Sequence, residues 1–110
     1  SYVLNARISK HGGLLRTLAI IGEARRRGLN IIVGAQVGET SILARAGVVA
    51  AKAAGTDLVG FEGAFGTRLL ARDATTVSLN FGYRGRVVTA TLGPHGSGLI
   101  PTVEVAAACI

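Results

Sequence analysis

Three residues in this chain combine a reactive side chain with a position at or just beyond a run of β-formers: Lys10, Glu39 and Glu62. A lysine or carboxylate so placed is a candidate for moving a proton, because α/β barrels present reactive side chains from the carboxyl ends of their strands and the loops that follow. A free lysine, with a pKa of about 10.4, is a poor base at neutral pH; nearby cations and removal from water lower that value toward the working range. Glu39 serves either as a carboxylate that orients a ligand or as an acidic group in the first turn of a helix, where the dipole favours it. Glu62 reads as a salt-bridge or loop-orienting carboxylate. Gly12 and Gly13 leave backbone N–H groups free at a helix start, a place that receives carboxylates and phosphates. His11, in the same turn, reads as a polar loop residue, and His95 with Ser97 lacks the acidic partner and G-x-S-x-G elbow of a serine hydrolase.

These side chains need a scaffold, and the hydrophobic pattern outlines one. Residues 3–9 are rich in apolar and β-forming types, and Lys10-His11-Gly12-Gly13 breaks that run and opens a helix. Leu14, Leu18 and Ile21 then recur at helical spacing, predicting a helix over 13–27 that Gly28 terminates. A second strand is expected over 30–34 and a second helix over 41–54, with Ser41 as its N-cap and Gly55 as its end. A third strand is expected over 58–61. Strands and helices alternating through such short connections imply parallel strands with right-handed crossovers.

Beyond Ala71 the character changes. Residues 75–79 and 86–92 gather β-formers around Gly82 and Gly85, residues 93–98 form a Gly-rich loop, and 99–105 are apolar again. The expected fold is therefore α/β: a partial (β/α) barrel over residues 1–70, followed by an extended, β-rich tail over 71–110 that packs outside the βα layer. The chain has 110 residues, far short of the ~250 of a complete eight-stranded barrel. Three parallel strands leave two edges to be paired, so the reading expects a homo-oligomer, or a separate chain carrying the N-terminal part of the barrel.

Composition narrows the alternatives. Apolar residues make up 49% and aromatic ones 5%, with mean hydropathy +0.48, so Ala, Val, Ile and Leu supply most of the apolar surface. No apolar stretch approaches the ~20 residues that span a bilayer, and residues 1–5 lack the order of a secretion signal. Cys109 is the single cysteine, which excludes an internal disulfide and a cysteine metal cage. A cytoplasmic protein with no membrane partner is the expectation. The net charge of +6 raises the question of nucleic acid, but the one basic run, Arg25-Arg26-Arg27, stands at a helix end where cations meet the negative pole of the dipole. A nucleic-acid partner is not expected.

Several segments also resemble a known family. Leu4-Asn5-Ala6-Arg7-Ile8-Ser9-Lys10-His11-Gly12-Gly13-Leu14-Leu15 resembles the sixth-strand segment of the mandelate racemase and muconate lactonizing enzyme group of the enolase superfamily. Gly34-Ala35-Gln36-Val37-Gly38-Glu39-Thr40-Ser41-Ile42-Leu43 resembles its seventh-strand loop, and Phe61-Glu62-Gly63-Ala64-Phe65-Gly66-Thr67 the end of its eighth strand. Phe81-Gly82-Tyr83 and Gly93-Pro94 with Gly98-Leu99 are similar to the segment that returns to the substrate-capping domain. Four matches in order, over nearly the whole chain, are more specific than any one alone.

The resemblance, closest to the muconate lactonizing subgroup, implies magnesium-assisted proton abstraction next to a carboxylate, as in racemases, epimerases and cycloisomerases. It implies Lys10 as the catalytic acid/base, Glu39 beside it as the acidic residue that orients substrate, and Glu62 as a supporting residue on the substrate side; with Gly12 and Gly13, whose backbone N–H groups stand at a helix start, these make up the candidate catalytic (Lys10, Glu39) and substrate-binding (Glu62, Gly12, Gly13) residues. The family's magnesium carboxylates come from the third, fourth and fifth strands and its other base from the second; this stretch contains none of these, so no metal ligand is assigned here. The expected function is that of a C-terminal part of such a protein, inactive by itself. The alternative is a non-enzymatic, homo-oligomeric α/β module derived from the same fold.

Overall fold

The structure is a computed structural model, and it describes residues 2–36, 39–62, 70–75, 78–79 and 81. The elements run β1 (Val3–Ala6), α1 (Leu14–Arg26), β2 (Asn30–Val33), α2 (Ser41–Ala54), a single 3₁₀ turn (Gly55–Asp57) and β3 (Leu58–Phe61). The sheet has the order β1-β2-β3, and both pairings are parallel, as the alternating pattern predicts. Val3 to Ala6 lie opposite Asn30 to Val33 in an unbroken register, while the β2–β3 pairing shifts between Ile31 and Ile32.

The two helices match the sequence expectation closely, and their ends show why. At the C-terminus of α1 the Gly28 N–H donates to Arg25 O at 3.0 Å and the Leu29 N–H to Ala24 O at 3.0 Å, with Gly28 at φ 69°. That is a Schellman stop, which a residue with a Cβ adopts only under strain. Helix α2 ends at Gly55, φ 58°, as expected. Its start differs from expectation: Ser41 is the first helical residue, and Thr40, at the N-cap position, makes no side-chain capping bond.

The first strand is shorter than the expected 3–9. After Ala6 the chain folds into a turn in which Lys10 N–H and His11 N–H both donate to Arg7 O, at 3.1 and 3.0 Å, and Gly13 N–H donates to Ile8 O at 3.0 Å. His11 Nδ1 accepts the Arg7 N–H at 3.3 Å. These local bonds take up the backbone groups that a longer ladder would use. Ile8 is nonetheless buried, so its apolar character serves the core from within a turn.

Both helices feed one core. Ala6, Ile31 and Val33 from the sheet meet Ile21 and Ala24 of α1 and Ala50 and Ala54 of α2, with Leu4, Leu58 and Phe61 packed against them. Pleating puts alternate residues on opposite faces, so Asn5 and Ile32, which are register partners, look away from that core. Among the described residues that second face is uncovered: Val3 is 47% and Val59 58% exposed. On α2 the buried positions include Ala44, Gly47, Ala50 and Ala54, a small-residue stripe that lets the helix lie close to the sheet. A Cβ at Gly47 would stand 3.3 Å from Cε2 of Phe61.

A second cluster joins Ala44 to Leu79 and Phe81, with Val48 and Phe61 beside them. The Phe61 and Phe81 rings sit 5.7 Å apart at 53°, an inclined aromatic pair. The described part of residues 71–81 thus packs on α2. The expected segments 86–92, 93–98 and 99–105 lie outside the described residues.

Candidate functional site

The carboxyl ends of β1, β2 and β3 form one rim. Gly34 N–H donates to Ala6 O at 2.8 Å and Glu62 N–H to Val33 O at 2.9 Å, so Gly34 and Glu62 each continue the ladder one step past the last strand residue. The candidate residues follow these ends: the Lys10 turn after β1, the Glu39 loop after β2 and Glu62 after β3.

Lys10 does not end the strand, as the sequence reading has it. It stands four positions beyond Ala6, exposed, in the turn held by Arg7 O and His11. The turn depends on its glycines, with Gly12 at φ 83° and Gly13 at φ 106°. Two successive residues in this region make the reversal open only to glycine at low cost. Gly13 is the N-cap of α1; its carbonyl accepts both the Thr17 N–H at 3.1 Å and the Thr17 hydroxyl at 2.8 Å. The Gly13 N–H is already spent on Ile8 O, so it is not one of the free donors that the Gly-Gly pair suggests.

Glu39 turns back on its own loop, where its Oε1 accepts the Gln36 N–H at 2.9 Å. It precedes α2 rather than lying in its first turn. Glu62 is exposed. Among the described residues no hydrogen bond or ion pair links Lys10, Glu39 and Glu62 to one another; what they share is the rim.

The first turn of α2 is held by a residue that carries no local sequence signal, Asp73. Its Oδ1 accepts the Ser41 N–H at 3.0 Å and its Oδ2 the Ser41 hydroxyl, while Ser41 Oγ accepts the Leu79 N–H at 2.7 Å. Burial pushes the Asp73 carboxyl up, but hydrogen bonds from the Ser41 side chain and backbone, from Ser78 and from the Ala74 backbone outweigh it, and the net displacement is below the ordinary value.

The arginine run is divided between two structural tasks. Arg25 Nε meets Asp57 Oδ2 at 3.0 Å and its Nη1 donates to Ala53 O at 3.1 Å, tying α1 to the end of α2 and the entry of β3. Arg26 and Arg27 both pair with Glu23.

A magnesium site does not fit these residues. Glu23, Asp57, Asp73 and Glu39 are each engaged by the partners just described, and among the described residues no three His, Cys, Asp or Glu side chains gather where a metal ion would be held. Among the same residues no helix is long and apolar enough to cross a membrane.

No family model matches the chain, and no curated protein matches it. Among solved structures it is similar to the L-Ala-D/L-Glu epimerase from Bacillus subtilis, determined as a substrate-liganded complex, with a TM-score of 0.60 at 22% identity. The match covers 77% of this chain and 22% of the epimerase, so the chain spans less than a quarter of that protein's length. At this identity the likeness is one of fold: three parallel strands and two helices arranged as in part of an α/β enzyme.

Proposed function

We propose that these residues form the C-terminal strands of an enolase-superfamily barrel and contribute the proton-transfer side of a site that acts on the carbon next to a carboxylate. The fold neighbour is an epimerase of that superfamily. The observation that carries the reading is the shared rim: Lys10, Glu39 and Glu62 follow the carboxyl ends of three parallel strands in chain order. Helices on one face of that sheet, with the other face uncovered among the described residues, suit a barrel wall whose open face looks inward.

Lys10 is the residue for proton transfer in this reading. The chain's other lysine, Lys52, stands in the last turn of α2, at the opposite end of the βα layer. Glu39 holds the loop after β2 through Gln36, and Glu62 lines the rim from β3. Because the carboxylates among the described residues do not compose a metal shell, these residues take proton movement and substrate contact in this proposal, and metal binding falls to polypeptide outside them. The remaining barrel wall comes from that same polypeptide, or from a second copy of this chain. Exchange of the α-proton of an N-acylamino acid or dipeptide for deuterium, by this chain joined to polypeptide carrying the upstream barrel strands, with and without Lys10→Ala, tests the proposal.

A further inference from the structure

Among the described residues, the most distinctive unengaged groups lie at the carboxyl end of β1. Pleating turns Asn5 to the face away from α1 and α2, and Arg7, in the turn just past the end of β1, brings its side chain to the same place, so that both lean over Gly34 of the neighbouring strand end. A Cβ at position 34 would stand 2.9 Å from Arg7 Nε and 3.0 Å from Arg7 Cγ, and would run into Asn5 Oδ1. Gly34 is buried beneath them. Arg7 is half-buried, yet among the described residues neither its guanidinium nor the Asn5 amide has a hydrogen-bond or ion-pair partner; the one polar contact of Arg7 outside the backbone ladder and turn is its main-chain N–H on His11.

Among the described residues, a half-buried guanidinium without a partner that leans over a bare backbone position is arranged to receive an anion; the Asn5 atom nearest Gly34 is its carbonyl Oδ1, so Asn5 joins in only by turning its NH2 inward. We propose that Arg7, with Asn5 beside it, binds the carboxylate of a small organic acid lying across Gly34. This deepens the proposed function and rests on its reading of the rim as the ligand-binding side. Guanidinium offers a planar fork of donors that matches a carboxylate two bonds at a time. A guanidinium carries donors and no acceptor, so Arg7 serves to fix charge and orientation. The proton-moving task is left to Lys10, three residues further along the same turn.

The test titrates N-acetylglycine into the full chain and follows the Arg7 Nε–H resonance by ¹⁵N NMR. Saturable movement of that resonance, loss of affinity by about tenfold or more in Arg7→Gln, partial retention in Arg7→Lys and no change in Lys52→Ala are the expected results. Circular dichroism of each variant checks that the fold is kept. Equal binding by wild type and a folded Arg7→Gln, or binding that follows Lys52 instead, overturns the inference. Its failure is separable from that of the functional reading: Lys10-dependent proton exchange in the assembly with the upstream strands, together with Arg7-independent binding, removes this inference alone, and Arg7-dependent binding with Lys10-independent exchange in that assembly removes the other.

Discussion

Asp73 grips the first turn of α2 from 32 residues away, its Oδ1 accepting the Ser41 N–H at 3.0 Å while Oδ2 takes the Ser41 hydroxyl. It thereby does what the N-cap residue Thr40 does not. Asp73→Ala is expected to lower stability by about 1–2 kcal/mol, the size of a lost helix cap with its hydrogen bonds. Because the folded-state carboxyl titrates below its ordinary 3.8, the stabilisation is complete above that pH and drains away as the pH falls through the folded value. Urea melts of wild type and variant should therefore differ at neutral pH and converge in acid; a gap that persists in acid would contradict the assignment.

Gly34→Ala is the sharpest test of the crowding between β1 and the end of β2. The new methyl meets the side chains of Asn5 and Arg7, which can turn aside at the surface, so the cost is expected to stay at about 1 kcal/mol or less. Thermal melts read the cost. The same substitution should push the Arg7 side chain aside and weaken N-acetylglycine binding, and a variant with unchanged stability and binding would show that the two side chains move away freely.

The arginine run should prove unequal. Arg25 bridges Asp57 and the Ala53 carbonyl, whereas Arg26 and Arg27 share Glu23 on their own helix. All three are exposed, so even Arg25→Ala is expected to cost only about 0.5–1 kcal/mol, less at high salt. Arg26→Ala should stay within about 0.5 kcal/mol of wild type. Denaturant midpoints across a salt series distinguish the two; equal effects would deny Arg25 its bridging role.

The elements that sequence reveals best are those closed by local chemistry. Helix α2 runs from Ser41 to Ala54, as its small-residue run and the terminal Gly55 predict, and Gly28 marks the end of α1 just as clearly. The end of β1 is less legible because Ile8 is apolar for the sake of the core while its backbone belongs to a turn. The hold of Asp73 on α2 is invisible to any local pattern, since its partner Ser41 lies a whole βα unit earlier. Arg7 had a usable signal: Leu4, Ala6 and Ile8 alternate with Asn5 and Arg7, which places the two polar residues on the face opposite the core. The lysine three positions later drew the chemistry away from them.

The most direct measurement is α-proton exchange in deuterated buffer containing magnesium, with an N-acylamino acid or a dipeptide as substrate, followed by NMR. The account predicts no exchange by the 110-residue chain alone, and exchange when it is joined to polypeptide carrying the upstream barrel strands. It predicts that Lys10→Ala abolishes that exchange while leaving the assembly intact by light scattering. Exchange that survives Lys10→Ala in the complete assembly, or Lys10-dependent exchange by the 110 residues alone, would contradict it.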